Sequence, residues 1–312
     1  MVETERMKGR PLLVVACYIT IYIVWGSTYF FIRRSVATIP PGWVLAIRWI
    51  TGGVLLLGFA AARGRVSRLP SPRELAASIV LGVLLLLVGN GGITVAEKYI
   101  DSYIAALLAS STPIVVAVFD AALLGKPLSV GRILGVVLGF GGVALLLYNG
   151  HSVAGSISPA VLIGLLGAVS WGLATSLGHR APVHGDNTVN SGIQMLFVGI
   201  VSLIGSLVFG PSPAAVISSM SAASLVGVLY LGIIGSLAFS AYTYLVSCEP
   251  AERLVSYALV NPLIAVLLGL GLGGESPTPL LGVGFPLILV GLAFMIYGER
   301  VLGWLRSLAA RK

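Results

Sequence analysis

The sequence predicts an all-α integral membrane protein: ten transmembrane helices, arranged as two inverted five-helix repeats, with both termini cytoplasmic. Three observations carry this. Of 312 residues, 57% are hydrophobic and only 10% charged, with a mean hydropathy of +1.01; a soluble domain carries about 25% charged residues. Apolar stretches close to the ~20 residues a spanning helix needs recur at 11–32, 43–63, 73–98, 102–124, 129–148, 158–180, 189–210, 222–247, 251–273 and 279–298. The basic residues collect on one side of that pattern.

Counting alternate loops, the N-terminus holds Arg6, Lys8 and Arg10, and the second loop Arg63, Arg65, Arg68 and Arg73. Lys126, Arg132, Arg180 and Arg253 follow, and the tail adds Arg300, Arg306, Arg311 and Lys312, making 15 of the 19 basic residues. The opposite side has Arg33, Arg34 and Lys98, and Arg48 lies within a span. Cytoplasmic loops collect Lys and Arg, so the net charge of +8 reports topology and implies no nucleic-acid partner. The first apolar run is too long for a signal peptide and lacks a small-residue cleavage pattern, so it counts as helix one. Cys17 and Cys248 form no metal or redox spacing and are expected in or near the membrane.

Taken in order, the segments carry recurring polar and aromatic faces. The first presents Tyr18, Tyr22, Trp25 and Tyr29 at i, i+4, i+7 and i+11. The second holds Arg48 near its outer end, where snorkelling or interfacial pairing accounts for a lone cation. The third aligns Asn90, Thr94 and Glu97 on one stripe, with Glu97 near outer water. The fourth runs from Ser102 to Lys126, is interrupted by Thr112-Pro113 beside Ser110 and Ser111, and carries Asp120, expected to pair with Arg132 or a similar group. The sixth has Trp171 and Thr175. The eighth repeats the polar stripe with Ser236, Ser240 and Thr243, next to Tyr244. The ninth has Tyr257 and Asn261-Pro262 and closes at Gly274-Glu275.

The two halves match. Proline to terminal glycine spans 12 residues in both proline segments, 113 to 125 and 262 to 274, and the copies lie 149 residues apart. Trp25-Gly26 matches Trp171-Gly172 at an offset of 146, while Gly135 and Gly142 match Gly284 and Gly291 at 149. Five helices per repeat is an odd number, so equivalent helices run in opposite directions. The repeats are 1–150 and 151–312. A proline costs about 3 kcal/mol in an exposed helix, but a membrane helix tolerates it where hydroxyls and neighbours satisfy the freed carbonyl. Interrupted helices at matching places in two inverted halves point to a solute site between the halves.

Two glycine patterns, Gly139-x-Gly141-x-x-Ala144 and Gly269-x-Gly271-x-x-Gly274, mimic dinucleotide fingerprints. They lie in or at the end of apolar helices, where small residues permit close packing, and not at a strand–turn–helix. Gly125-Lys126 lacks the rest of a phosphate-binding loop. His151, His179 and His184 have no metal spacing. Neither a cofactor nor a metal is expected.

Ten helices in two halves, Trp25-Gly26-Ser27-Thr28-Tyr29, and Thr-Pro or Asn-Pro helices ending in Gly-Lys or Gly-Glu resemble the drug/metabolite transporter superfamily, EamA type. Residues 88–98 and 257–275 resemble its bacterial metabolite and amino-acid exporters. The chain departs from the family where Gly125-Lys126 replaces the usual Gly-Glu, so a role for that acid does not transfer to Lys126. The resemblance implies a multi-pass transporter of the bacterial inner membrane, monomeric or homodimeric, that exports small metabolites such as amino acids.

The expected solute-lining residues are Trp25, Tyr29, Asn90, Thr94, Glu97, Ser110, Thr112, Trp171, Thr175, Ser240, Tyr244, Tyr257 and Asn261, with Pro113 and Pro262 kinking their helices. Aromatic rings with amides suit neutral or aromatic zwitterions. Sugar-phosphate or nucleotide-sugar exchange is the alternative, weakened by the lack of a Lys/Arg cluster within the spans. A membrane-embedded enzyme would need clustered acids, histidines or a nucleophile pair, which the spans do not offer. A channel would need a pore motif that the two-fold repeat does not supply.

Overall fold

The structure is a computed structural model that describes residues 11–66, 68–125, 129–147, 158–178, 180–249, 251–254 and 256–309. No strand occurs among the described residues. The principal helices are α1 (Pro11–Val36), α2 (Pro41–Ala62), α3 (Pro72–Ala96), α4 (Ser102–Leu123), α5 (Val130–Leu147), α6 (Pro159–Gly178), α7 (Asn187–Phe209), α8 (Ala222–Cys248), α9 (Tyr257–Gly271) and α10 (Leu281–Ala309). Seven of them, α1–α4 and α6–α8, are long and apolar enough to cross a membrane; the rest contain the shorter apolar runs Ile133–Gly142, Tyr257–Gly271 and Leu281–Met295. Two short helices, Pro213–Ser219 and Ala251–Leu254, precede α8 and α9.

Local sequence explains the helix ends. Ser71 and Glu74 form a reciprocal capping box at the start of α3, satisfying two N–H groups that a helix start leaves unpaired. Asp186 caps α7 by accepting from the N–H groups of Thr188 and Val189, and Ser221 caps α8. The fourth segment ends where Gly125 adopts φ +64°, a left-handed geometry that a side chain disfavours.

Two helices contain wide π turns, Ile21–Trp25 in α1 and Val83–Asn90 in α3. Such turns place an extra residue in the helix and rotate the face of its next turns; they recur at functional sites. Pro113 has a different consequence. The helix stops at Ala109 and restarts at Thr112, with Pro113 in the first turn of the restart. The Ser110 and Ser111 hydroxyls donate to the carbonyls of Leu107 (2.7 Å) and Leu108 (2.6 Å), one turn back in their own helix, rather than to Ala109, whose carbonyl Pro113 leaves without its N–H. Pro262 lies inside the continuous helix α9, whose interruption falls earlier, after Leu254. There the Ser256 hydroxyl serves the Arg253 carbonyl at 2.6 Å.

The principal packing contacts come in pairs. Helix α2 packs on α7, α4 on α9 and α5 on α10; α1 packs on α8 and α9, and α6 on α3 and α4; α2 also meets α8, and α7 meets α3. Exchanging each helix for the one five places along maps this set onto itself. The closest approaches obey the same exchange. A Cβ on Gly53 would lie 2.6 Å from the Leu196 nitrogen, and one on Gly199 2.6 Å from the Ile50 nitrogen. Residues 50 and 53 shifted by 146 are 196 and 199. A Cβ on Gly135 would lie 2.6 Å from the Gly291 oxygen, and one on Gly142 2.7 Å from the Gly284 oxygen. Here the shift is 149. Small residues let membrane helices approach to van der Waals contact of their backbones, which accounts for Gly139, whose nitrogen a Cβ on Gly291 would approach to 2.5 Å, whereas Gly141 meets only the Leu287 side chain at 3.7 Å.

Candidate functional site

The two π turns end at Trp25 and Asn90, and both residues line a central cavity of about 60 Å³. Helices from both halves close around it. The first half contributes Trp25, Thr28, Tyr29, Arg48, Trp49, Asn90 and Thr112, and the second Trp171, Phe239 and Tyr257. Gly89, Gly167 and Ala168 form the part of the wall where α3 meets α6, and Ile32, Ile93 and Ala109 also line the space. A Cβ on Gly167 would lie 2.6 Å from the Gly89 oxygen, so the lack of side chains there brings the two halves together beside the cavity.

The wall toward one end is aromatic. Trp25 meets Trp171 edge-on at 5.5 Å between ring centroids, Tyr257 edge-on at 5.1 Å, and Tyr242 at 4.9 Å. Such pairs contribute about 0.5–1.5 kcal/mol each beyond area burial. Tyr242 also lies tilted against Trp171 at 5.8 Å, and its hydroxyl shares a 2.9 Å hydrogen bond with Thr175. Tyr242 and Thr175 face a second cavity of about 560 Å³, lined also by His184, Asn187, Asn190, Gln194 and Glu249. Tyr242, which lines the larger cavity and contacts three rings of the smaller one, lies between the two.

The opposite end of the bundle is tied by charges. Arg33 donates to the Glu97 carbonyl at 2.6 Å and lies 3.9 Å from Asp101. Arg34 donates to the Leu272 carbonyl at 2.8 Å. Burial raises the Asp101 carboxyl above the usual range, reinforced by Glu275 and opposed by Arg33. Glu275 accepts the Ser102 and Tyr103 backbone N–H groups at 2.9 and 3.5 Å, placing negative charge at the start of α4, where the helix dipole favours it. The acid of the second Gly-Glu motif thus links α9 to α4.

Of the expected lining residues, Trp25, Tyr29, Asn90, Thr112, Trp171 and Tyr257 meet at the central cavity. Thr175 faces the larger cavity instead. Thr94 spends its hydroxyl on the Asn90 carbonyl at 2.8 Å, as Ser110 does on Leu107, so neither offers a free donor to a solute. With its amide turned so that the nitrogen rather than the oxygen faces the surrounding acceptors, Asn261 bridges helices by donating to the carbonyls of Tyr22 (3.1 Å) and Tyr257 (3.2 Å). Ser240 and Tyr244 are half-buried and line neither cavity. On the eighth-segment stripe, Ser236 donates back to Gly232 at 2.5 Å and Thr243 pairs with Ser191 at 2.7 Å.

Two ionisable groups differ from their expected positions. Glu97 is fully buried, not at the water interface, and both its carboxyl oxygens lack a hydrogen-bond partner. Arg48 neither snorkels nor pairs at the interface: it is 3% exposed and faces the central cavity. Its neighbour Trp49 also lines that cavity, and in the sequence it is one aromatic residue in an apolar span, with no signal of a site. The only sequence signal for Arg48 was a charge inside a span, which defaults to a functional suspect. Asp120 is buried; its expected partner Arg132, like Lys126, His151 and His179, lies outside the described side chains. Among the described residues no group of three or more His, Cys, Asp or Glu could hold a metal ion.

Comparison with known proteins agrees with this architecture. The EamA-like transporter family model matches residues 12–148 and again 158–297. An uncharacterized inner membrane transporter of Escherichia coli (strain K12), YedA, is 36% identical over 298 residues, covering 94% of each chain. The uncharacterized transporter YvbV of Bacillus subtilis (strain 168) is 27% identical over 265 residues, covering 83% of each. One crystal structure superposes with a TM-score of 0.68 at 23% identity, covering 94% of this chain and 99% of the other, which shows a shared fold.

Proposed function

This chain belongs to the EamA-like transporter family, and from that premise we propose that it is a secondary transporter of the inner membrane. It exports small metabolites of the neutral and aromatic amino-acid class by alternating access, without cofactor or metal. The observation that carries this reading is the central cavity: aromatic rings and an amide, supplied by both halves, enclose a space between them, and alternating access exposes a solute held there to each side in turn.

Several observations support the two inverted repeats, 1–150 and 151–312. The principal helix contacts map onto themselves when the halves are exchanged, the close approaches at Gly53, Gly199, Gly135 and Gly142 do so residue by residue, and the family model matches once in each half. The basic loops support cytoplasmic termini. In such a bundle the Tyr242 end of the site faces the cytoplasm, and the Arg33 and Arg34 ties face the outside.

Cysteine accessibility in cells and inverted vesicles tests the reading. Ser307→Cys should react with an impermeant reagent only from the cytoplasmic side, and Ala214→Cys only from outside. Asn90→Cys should react slowly from both sides, and phenylalanine should protect it. A central cysteine that reacts from one side alone under every condition rules out alternating access.

A further inference from the structure

We infer that Arg48 is the anchor for a carboxylate on the transported solute, so that the central cavity selects small monocarboxylates. The inference rests on the proposed transporter function and names the chemical group that the site recognises.

Arg48 is buried to 3% exposure, deep in α2, and faces the cavity. One guanidinium nitrogen, Nη1, donates to the Asn90 Oδ1 at 2.9 Å. The guanidinium lies 4.1 Å over the Trp49 ring, and its buried Nε has no hydrogen-bond partner. Among the described residues no carboxylate lies within 4.0 Å of it. The acid whose field reaches it, Glu97, is beyond ion-pair distance.

A guanidinium carries five N–H donors, and a charge held away from water is stable only when paired and hydrogen-bonded. A neutral amide oxygen and an indole face supply part of that need and no counter-charge. The remaining donors sit beside an aromatic cavity reached by solute. The group that fits a planar fork is a planar pair of oxygens bearing one negative charge, which is a carboxylate. A phosphate dianion would bring a second charge with no partner on this wall. The rings of Trp25, Trp171 and Tyr257 then receive the apolar part of the solute.

A purely structural role, tying α2 to α3 through Asn90, makes the opposite prediction for one variant. Asn90→Asp sets an internal carboxylate against Arg48 at the position of the present 2.9 Å contact. This would strengthen a structural tie, whereas it would occupy a solute anchor. The test measures binding of phenylalanine and phenylalaninamide by calorimetry on the purified full chain, and uptake of both into proteoliposomes. The wild type should prefer the carboxylate by about 30-fold or more, the loss typical of removing one partner of a buried charge pair. Arg48→Gln and Asn90→Asp should each abolish that preference, read as the ratio of the two affinities within the same variant. Where Arg48→Gln does not fold, Asn90→Asp decides. An unchanged preference in Asn90→Asp, or a wild type that binds the amide as tightly, overturns the inference. Selective carboxylate binding without uptake of any solute upholds the anchor and sinks the transporter reading. Uptake of uncharged solutes without carboxylate preference does the reverse.

Discussion

Gly291→Leu and Gly142→Leu are each expected to destabilise the folded bundle by about 3 kcal/mol or more, the upper range for forcing side-chain volume into a close-packed contact. A Cβ on Gly291 would lie 2.5 Å from the Gly139 nitrogen and 2.8 Å from the Gly135 oxygen. Both are backbone atoms, so α5 and α10 must move apart as units. Gly142 meets the Gly284 oxygen at 2.7 Å in the same way. Gly282, on α10 as well, meets nothing within 4 Å, and Gly282→Leu should change stability by less than about 0.5 kcal/mol. Thermal unfolding in detergent measures all three. The two-fold relation demands similar losses at 142 and 291; a loss at Gly291 no greater than at Gly282 would mean that α5 and α10 are not packed backbone to backbone.

Tyr242→Ala should join the two cavities. Tyr242 is 2% exposed and contacts Trp25, Trp171 and Tyr257, so its ring lies between them. Losing aromatic contacts worth ~1.4 kcal/mol of closure corresponds to about a tenfold rise in the labelling rate of Asn90→Cys from the cytoplasmic side. Truncation of a buried aromatic also costs about 3 kcal/mol or more of stability. Tyr242→Phe keeps the ring and removes only the hydroxyl shared with Thr175 at 2.9 Å. That variant should lose about 1 kcal/mol and label at the wild-type rate. Equal labelling of the alanine and phenylalanine variants would show that solute and reagent reach Asn90 by another route.

Much of this architecture was legible in the sequence because it depends on composition and period. The apolar segments, the duplication offsets and the proline spacing needed no structure, and six of the expected lining residues meet at the cavity. The features that were not legible have a common cause: helical spacing fixes which residues share a face, and neither the neighbours of that face nor its local winding. The π turns at Ile21–Trp25 and Val83–Asn90 rotate the residues after them, and nothing in an apolar run announces them. Ser110, Thr94 and Ser236 share polar faces yet bond to carbonyls of their own helices, an alternative always open to hydroxyls in a helix. Arg48 reads as interfacial from its distance to the helix end, because the wall that buries it comes from other helices. Pro262 matches Pro113 in spacing, but α9 begins only after Ser256, so the interruption lies ahead of the Asn-Pro pair rather than at it.

Solute counterflow in proteoliposomes tests the central claim most directly. Vesicles loaded with unlabelled phenylalanine and diluted into a trace of the labelled amino acid should accumulate label transiently above its equilibrium level, with no ATP and no ion gradient. Exchange through one alternating site produces that overshoot. Label that equilibrates without overshoot, in vesicles whose protein is folded and correctly inserted, would contradict the account.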